Sequence, residues 1–190
     1  MKSLEGTKTQ KNLMAAFAGE SAARNKYTFF ASVAKKEGYE QIAAIFQETA
    51  DNEKEHAKRF FKLLGDAQVK IEGTFSSGLG DTLACLKAAA EGEREEWTVI
   101  YGQAEKDARE EGFEDIAKVF ANIAAVEKHH EERYLKLAEN IKNGAVFKKS
   151  QTIKWKCRNC GFVYEGTDAP QKCPACAHPQ AYFEVLADNF

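Results

Sequence analysis

The sequence predicts a mainly α-helical protein: a four-helix bundle with one long crossover, followed by a small metal-bound C-terminal domain with short β-strands. Before about residue 144, apolar residues recur at helical spacing over long segments. The same region contains an internal repeat, in which residues 37–64 align with residues 111–138. All three prolines and four of the five cysteines follow this region. We therefore expect two domains, at residues 1–146 and 147–190.

The composition narrows the class of protein. An apolar fraction of 44% supports a real core, and a net charge of −2 argues against nucleic acid or an anionic membrane as the main partner. No apolar run is long enough to span a bilayer, and the polar N-terminus lacks the apolar core of a signal peptide. We expect a cytoplasmic protein, in which paired CxxC motifs more often bind metal than form disulfides.

Capping residues and glycines predict where the four helices begin and end. The expected limits are Thr7 or Thr9 to Lys36, Gly38 to Leu64, Asp81 or Thr82 to Glu111, and Gly112 to Asn143. The first and third connections are short, so the helices that they join should be antiparallel. The long connection at residues 66–80 can carry the chain back along the bundle. This is the ferritin-like arrangement of four helices.

Two Glu-x-x-His pairs interrupt stripes of otherwise apolar residues. Glu53 and His56 lie on the buried stripe of the second helix, and Glu127 and His130 occupy the same place in the fourth. An unpaired carboxylate in an apolar core costs several kcal/mol, so it must protonate, pair or bind a cation. Residues three apart share one helical face and can reach the same ion. The alternative is two solvent-facing pairs, but the repetition favours a metal site.

The other two helices each supply one further candidate ligand. Glu20 lies on a stripe with Leu13, and Glu93 lies on a stripe with Leu86 and Ile100. One Glu from each of two helices and a Glu-x-x-His from each of the others is the ligand set of di-iron and di-manganese carboxylate bundles. Carboxylate oxygens and imidazoles suit Fe(II) or Mn(II).

Glu96 has no counterpart in the first half of the chain. It faces the same stripe as Glu93, and the spacing of the repeat changes here. Glu20 and Tyr27 are seven residues apart, whereas Glu93 and Tyr101 are eight apart. One inserted residue would rotate the rest of an α-helix by about 100°. We therefore predict a π-bulge between Glu93 and Tyr101 that turns Glu96 toward the metals.

Counting charges suggests a role for Glu96. Four carboxylates neutralise two ferrous ions, whereas two ferric ions favour a fifth carboxylate. Glu96 and His56 could then compete for one iron according to its redox state. The alternative is that Glu96 faces outward. Tyr27 and Tyr101 occupy equivalent core positions and could donate hydrogen bonds to the ligand carboxylates, although buried tyrosines in any bundle would look similar.

The C-terminal segment contains a second strong motif. Cys157-x-x-Cys160 and Cys173-x-x-Cys176 are separated by twelve residues. This spacing predicts a tetrahedral four-thiolate site, as in zinc ribbons and rubredoxins. About forty residues cannot bury enough core to fold alone, so the metal should also be structural. Spacing does not distinguish zinc from iron.

The sequence resembles the rubrerythrin family over essentially its whole length. The runs that resemble the family are FAGESAARNKY, ETADNEKEHAKR, AAEGEREEW, AVEKHHEERYL and KCRNCGFVYEGTDAPQKCPAC. A ferritin-like bundle, a rubredoxin-like domain and a surplus Glu on the third helix form a specific combination.

This resemblance implies a non-haem di-iron peroxidase that reduces hydrogen peroxide to water and protects against oxidative stress. Electrons would come from NAD(P)H through rubredoxin or a reductase, and then through the rubredoxin-like iron centre. The family's members form head-to-tail homodimers. Two other readings stay open: a ferroxidase of the ferritin-like kind, and a zinc ribbon that binds partner proteins.

The resemblance also implies a role for each residue of one iron site. Glu53 and Glu127 would bridge the two irons. Glu20 would bind one iron terminally, and Glu96 and His56 would exchange on that iron during catalysis.

The remaining ligands follow in the same way. Glu93 and His130 would bind the second iron of the pair. The implied ligands of the single iron are Cys157, Cys160, Cys173 and Cys176.

Overall fold

The bundle is built from four helical rods, one of which is interrupted. The computed structural model describes residues 3–68 and 70–189. The α-helices are α1 (Lys8–Lys36), α2 (Glu40–Leu64), α3 (Thr82–Glu95), α4 (Tyr101–Glu110) and α5 (Glu114–Lys142). A π-helical turn, Glu96–Ile100, joins α3 to α4 without a break. The predicted bundle is confirmed, with α3, this turn and α4 as its third rod.

Local signals place the helix ends. The Thr7 side chain accepts a hydrogen bond from the Gln10 backbone N–H at the start of α1. Asp81 does the same for Ala84 at the start of α3. Such caps satisfy backbone donors that have no partner inside the helix. Each short connection between antiparallel rods contains a glycine with positive φ, as at Gly38 (φ 83°).

The core consists of two apolar clusters with a layer of carboxylates between them. One cluster contains Tyr27 and Phe46, and the other contains Leu13 and Phe120. Along each rod, one buried Glu separates the residues of the two clusters; these are Glu20, Glu53, Glu93 and Glu127. The four rods therefore converge on one buried acidic layer.

The π-helical turn changes which residue returns to the core. Ile100 was expected on the buried stripe of Glu93, but its residue is 42% exposed. Tyr101 is buried instead, with 1% exposure. The extra residue in the turn shifts the register by one position, which explains the difference.

The C-terminal domain is a three-stranded antiparallel sheet with strand order β2-β1-β3. The strands are β1 (Lys148–Cys157), β2 (Val163–Asp168) and β3 (Phe183–Val185), and a short 3₁₀ helix, Gln180–Tyr182, precedes β3. Trp155 and Phe183 form the centre of its small core. The Trp155 indole donates a hydrogen bond to the Gly166 carbonyl (3.0 Å).

The two parts of the chain meet beside the turn between α1 and α2. There the rings of Tyr39 and Phe147 stack with an interplanar angle of 5° and centroids 6.1 Å apart. The proposed boundary between residues 146 and 147 lies between α5 and β1 and stays a prediction. Residues 1, 2 and 190, at its outer limits, lie outside the described part of the chain. Among the described helices, none has the length and apolar character needed to cross a membrane.

Candidate metal centres

The acidic layer holds a first group of potential metal ligands at α1, α2 and α5. Glu20, Glu53, His56 and Glu127 each offer one ligand atom, and all four atoms lie within 4.8 Å of one another. His56 Nδ1 is 2.8 Å from Glu53 Oε2, 3.0 Å from Glu127 Oε1 and 3.7 Å from Glu20 Oε1. The carboxylates are buried, and 13% of the His56 side chain is exposed. One cation could bind all four side chains.

A second group lies beside the first and shares two of its members. Its ligand atoms, from Glu53, Glu93, Glu127 and His130, also lie within 4.8 Å of one another. His130 Nδ1 is 2.9 Å from Glu127 Oε2 and 3.3 Å from Glu53 Oε1. Glu53 and Glu127 thus turn one oxygen toward each histidine. This is the arrangement that bridging carboxylates need between two cations.

Several polar atoms of these groups have no hydrogen-bond partner in the described part of the protein, although histidine nitrogens lie close to some of them. Within the described residues, the buried atoms without a hydrogen-bond partner include Glu20 Oε2, Glu53 Oε1, Glu93 Oε2, both Glu127 oxygens and His130 Nδ1. Each such atom costs roughly 1–3 kcal/mol if nothing satisfies it. Two cations would satisfy them together. Carboxylate oxygens and imidazole nitrogens fit divalent iron or manganese.

Burial and mutual proximity shift the pKa values of these groups. Burial raises the pKa of Glu93 to about 7 despite the nearby His130, and it raises that of Glu20 well above its usual range. Burial also acts on Glu53, but His130 and His56 outweigh it and lower its pKa to about 2. The surrounding carboxylates overcome burial at His130 and raise its pKa to about 11. Metal binding must therefore displace protons from this layer.

Two tyrosines connect the first and third rods across the acidic layer. The Tyr27 hydroxyl of α1 donates a hydrogen bond to Glu93 Oε1 of α3 (2.5 Å). The Tyr101 hydroxyl of α4 donates one to Glu20 Oε1 of α1 (2.5 Å). Both phenols are buried, which raises their pKa values well above the usual range and keeps them as donors. Each tyrosine thus holds the carboxylate of the opposite rod, and its role in orienting a ligand stays a prediction.

The predicted π-bulge between Glu93 and Tyr101 is confirmed. Glu96 begins the π-helical turn, and the Tyr101 backbone N–H donates to the Glu96 carbonyl five residues earlier. Burial raises the pKa of the Glu96 carboxyl well above its usual range, and the charges of Glu20 and Glu93 raise it further. The Glu96 carboxyl group is therefore close enough to the acidic layer to interact with its charges, although the residue as a whole is only partly buried.

The structure places Glu96 near both groups but in neither. Among the described residues, His56 and not Glu96 completes the first group. His56 and Glu96 are the two residues expected to compete for one cation. His56 belongs to the first group, and Glu96 lies beside it.

Two buried carboxylates of the described residues were missed in the sequence, Asp107 of α4 and Glu131 of α5, and the second lies near the metal groups. Glu131 of α5 is 6% exposed, and its Oε2 accepts a hydrogen bond from the Trp97 indole N–H (2.6 Å). Glu131 lies four residues after Glu127 and one after His130, so helical spacing places it close to the metal-facing side. That spacing was the available signal. Its partner could not be identified, because the π-helical turn sets the direction of Trp97.

The four cysteines of the C-terminal domain form a third group. Their sulfur atoms lie within 4.8 Å of one another, with Cys157–Cys176 and Cys160–Cys173 separations of 3.8 and 3.7 Å. A tetrahedron with metal–sulfur bonds of about 2.3 Å has edges of about 3.8 Å. The sulfur atoms therefore fit one tetrahedral metal ion. Cys157 and Cys173 are buried, whereas Cys160 is exposed.

Two matching turns hold these thiols. The Gly161 backbone N–H donates to the Cys157 carbonyl (2.8 Å), and the Ala177 N–H donates to the Cys173 carbonyl (2.9 Å). Both turns place a residue at positive φ, 77° at Gly161 and 61° at Ala177. The backbone N–H of His178 lowers the pKa of Cys176 to about 6, which favours the thiolate that binds metal.

Comparison with protein families assigns both parts of the chain. Residues 11–138 match the family model described as rubrerythrin. Residues 155–184 match the model described as the rubredoxin-like domain of rubrerythrin. The first match contains every Glu and His of the two bundle groups, and the second contains all four cysteines of the third group.

Comparison with individual proteins also indicates similarity to rubrerythrins. Rubrerythrin of Porphyromonas gingivalis is 56% identical over 190 residues, which is 100% of this chain and 95% of that protein. Rubrerythrin of Nitratidesulfovibrio vulgaris is 55% identical, with 100% of both chains covered. A solved structure of nigerythrin in a mixed-valence state is similar, with a TM-score of 0.65 and 32% identity over 97% of this chain and 89% of that one.

The fold, the donor sets and the comparisons agree. The Glu and His groups of the bundle form a di-iron carboxylate site, and the four cysteines form a rubredoxin-like iron site. The chain therefore belongs to the rubrerythrin family, as a di-iron protein with a ferritin-like bundle and a C-terminal rubredoxin-like domain.

Proposed function

We propose that this protein is a peroxidase that reduces hydrogen peroxide to water at its di-iron site and limits oxidative stress. The observation that supports this most strongly is the π-helical turn at Glu96, whose carboxyl group interacts electrostatically with the members of a complete four-ligand group that contains His56. A purely structural metal site would not need a surplus carboxylate next to its ligands. The rubredoxin-like site in the same chain supports an electron-transfer reaction.

Each ligand has a proposed role. With iron bound, Glu53 and Glu127 would be shared by the two ions, and Glu20 would hold the first ion. Glu96 and His56 would be the catalytic residues, because they would compete for that ion according to its redox state. Glu93 and His130 bind the second iron in the same proposal, and the cysteines that bind the single iron are Cys157, Cys160, Cys173 and Cys176.

Residues of the protein balance the charge of the metal site and carry a proton during the proposed reaction. When bound, the two irons supply the two electrons that, with two protons, convert hydrogen peroxide into two molecules of water. The raised pKa of Glu96 favours its protonated form while His56 occupies the first group. On replacing His56, the Glu96 carboxyl group would give up that proton, which could serve as one of the two protons that peroxide reduction consumes. Tyr27 and Tyr101 keep the carboxylates of Glu93 and Glu20 in place during the exchange.

Electrons enter at the rubredoxin-like domain in this proposal. Cys160 is exposed, so an electron carrier can approach its sulfur closely. The proposed donors are rubredoxin or an NAD(P)H-dependent reductase. A head-to-tail homodimer would bring the rubredoxin-like site of one subunit near the di-iron site of the other. The cytoplasm remains the predicted location.

A single anaerobic experiment tests the peroxidase. The iron-loaded protein is reduced fully, one equivalent of hydrogen peroxide or of dioxygen is added in separate runs, and the visible spectrum is followed over time. We expect the ferric-thiolate colour to return quickly with peroxide and much more slowly with dioxygen. An equal or faster reaction with dioxygen would instead favour a ferroxidase, the function suggested by the ferritin-like bundle.

The same spectra test the third site. If the protein isolated from cells has no ferric-thiolate colour, its cysteines hold zinc and the electron-transfer proposal is wrong.

A further inference from the structure

Trp97 and Glu131 connect the π-helical turn to α5. The Trp97 indole N–H donates to Glu131 Oε2 at 2.6 Å, and Arg94 Nε lies 3.6 Å from Glu131 Oε1. Arg94 and Trp97 stand on either side of Glu96 in the chain. A single carboxylate of α5 therefore contacts the backbone segment that presents Glu96 from both sides.

Glu131 does not offer a ligand atom to either metal group of the bundle. It is only 6% exposed, yet among the described residues it belongs to neither bundle group. Burying a carboxylate is unfavourable unless hydrogen bonds or opposite charges compensate. Within the described part of the chain, the partners of its side chain are Trp97 and Arg94, which flank Glu96. The contact thus fixes that segment to the helix that contains Glu127 and His130.

Packing holds the π-helical turn only in part. None of its five residues is fully buried: Glu96 and Trp97 are partly exposed, and Val99 and Ile100 are 61% and 42% exposed. The wider turn also disturbs the regular hydrogen-bond ladder, and the Thr98 hydroxyl donates to the Arg94 carbonyl (2.5 Å). Side-chain hydrogen bonds therefore add to the restraint on the position of this turn.

We propose that Trp97 and Glu131 are positioning residues whose hydrogen bond sets how the Glu96 carboxylate meets the di-iron site. The inference rests on the proposed role of Glu96 as an iron ligand, but it does not require peroxide to be the substrate. With that hydrogen bond in place, Glu96 needs little rearrangement to replace His56. Without it, the turn samples more positions and the fifth carboxylate stabilises the ferric pair less.

The test compares three variants of the iron-loaded full chain. Trp97→Phe keeps an aromatic ring but removes the N–H donor. Glu131→Gln removes the charge but keeps an oxygen that can accept from Trp97. Lys128→Gln is the matched control, because Lys128 lies over the Trp97 ring (5.6 Å from Nζ to the centroid) without taking part in the hydrogen bond.

The primary measurement is a redox titration of the di-iron site, which requires no peroxide. We expect Trp97→Phe to raise the midpoint potential and to leave the iron content and the rubredoxin-like spectrum unchanged. Glu131→Gln should fall between Trp97→Phe and the wild type, and Lys128→Gln should match the wild type. A wild-type potential in Trp97→Phe would overturn the proposal.

A double variant separates positioning from a general structural effect. If Trp97 acts through Glu96, the substitution Trp97→Phe should have no further effect on the potential of a Glu96→Ala protein. Additive effects of the two substitutions would overturn the proposal. Because the potential is measured without substrate, a protein that fails as a peroxidase can still confirm or contradict the role of Trp97.

Discussion

At the scale of single residues, the position of Glu96 distinguishes it from the other carboxylates of the acidic layer. Glu20, Glu53, Glu93 and Glu127 each belong to a group of four ligands, whereas Glu96 lies beside these groups with a pKa raised well above its usual range. A carboxylate held this way can change its contacts without dismantling the site. This is the property that the proposed exchange with His56 requires.

Replacing Glu96 with Ala should lower peroxide turnover by roughly 10- to 100-fold, the loss typical when a group that completes or supports a metal site is removed. The fold should persist, because both metal groups remain complete without Glu96. Steady-state peroxidase assays would measure the effect. Glu95→Ala is the matched control, since Glu95 is the exposed neighbour on the same helix. Unchanged turnover in Glu96→Ala would contradict the exchange.

Replacing Tyr27 with Phe should weaken iron binding by roughly 10-fold or more, because Glu93 loses the donor that orients it. Tyr101→Phe should have a similar effect through Glu20. Competition with a chelator would measure both affinities. The control is Tyr134→Phe, since Tyr134 is buried in the same bundle but, among the described residues, its hydroxyl makes no hydrogen bond to a ligand carboxylate. Equal affinities in all three variants would show that the hydroxyls do not orient the ligands.

At the scale of elements, the two cysteine turns have the same hydrogen bonds but different residues at positive φ. Gly161 adopts φ 77° without steric cost, whereas Ala177 adopts φ 61° with a Cβ atom present. The second turn is therefore the strained one. The metal holds both turns closed, so the strain at Ala177 should lower the stability of the domain most clearly when the metal is released.

Ala177→Gly should stabilise the rubredoxin-like domain by about 0.5–1 kcal/mol, after the greater freedom of glycine in the unfolded chain is subtracted. Gly161→Ala should destabilise it by a similar amount. Loss of the ferric-thiolate absorbance in guanidinium would measure both, since that colour reports this domain alone. A less stable Ala177→Gly protein would mean that φ at this turn is not a source of strain.

At the scale of the whole molecule, the acidic layer joins all four rods and is the least favourable part of the metal-free bundle. Apolar clusters enclose it on both sides, so its charges cannot be solvated by water. Two cations neutralise the layer and cross-link the rods at once. Metal binding and folding of the bundle should therefore be strongly coupled.

The melting temperature of the metal-free bundle should fall as the pH rises from about 5 to about 9. The pKa of Glu93 is raised to about 7 and that of His130 to about 11, so the folded state holds protons that the unfolded chain has released. Each group stabilises the fold below its unfolded pKa and loses that contribution as the pH rises through its folded value. Helical circular dichroism during heating would measure this.

The iron-loaded protein is the comparison for this experiment. Metal displaces these protons, so its affinity increases with pH and the difference between the two melting temperatures should widen. A metal-free protein that becomes more stable over the same range would contradict the shifts at Glu93 and His130.

The sequence by itself determined the architecture and picked out the residues that meet in the three potential ligand groups. Helical periodicity placed Glu53 and Glu127 on buried faces, and their repetition with a histidine three residues later indicated two metal ions. The unequal spacing from Glu93 to Tyr101 was sufficient to predict the π-bulge, now confirmed. These inferences depend only on positions along a helix, which local geometry makes regular.

Only the tertiary structure decided which residues meet across the rods. Periodicity states the face on which a side chain lies, but not the neighbour that faces it. The pairing of Tyr27 with Glu93 and the contact between Trp97 and Glu131 depend on how the rods pack against one another. That packing joins segments that are distant in the chain, which is the physical reason that no local pattern contained it.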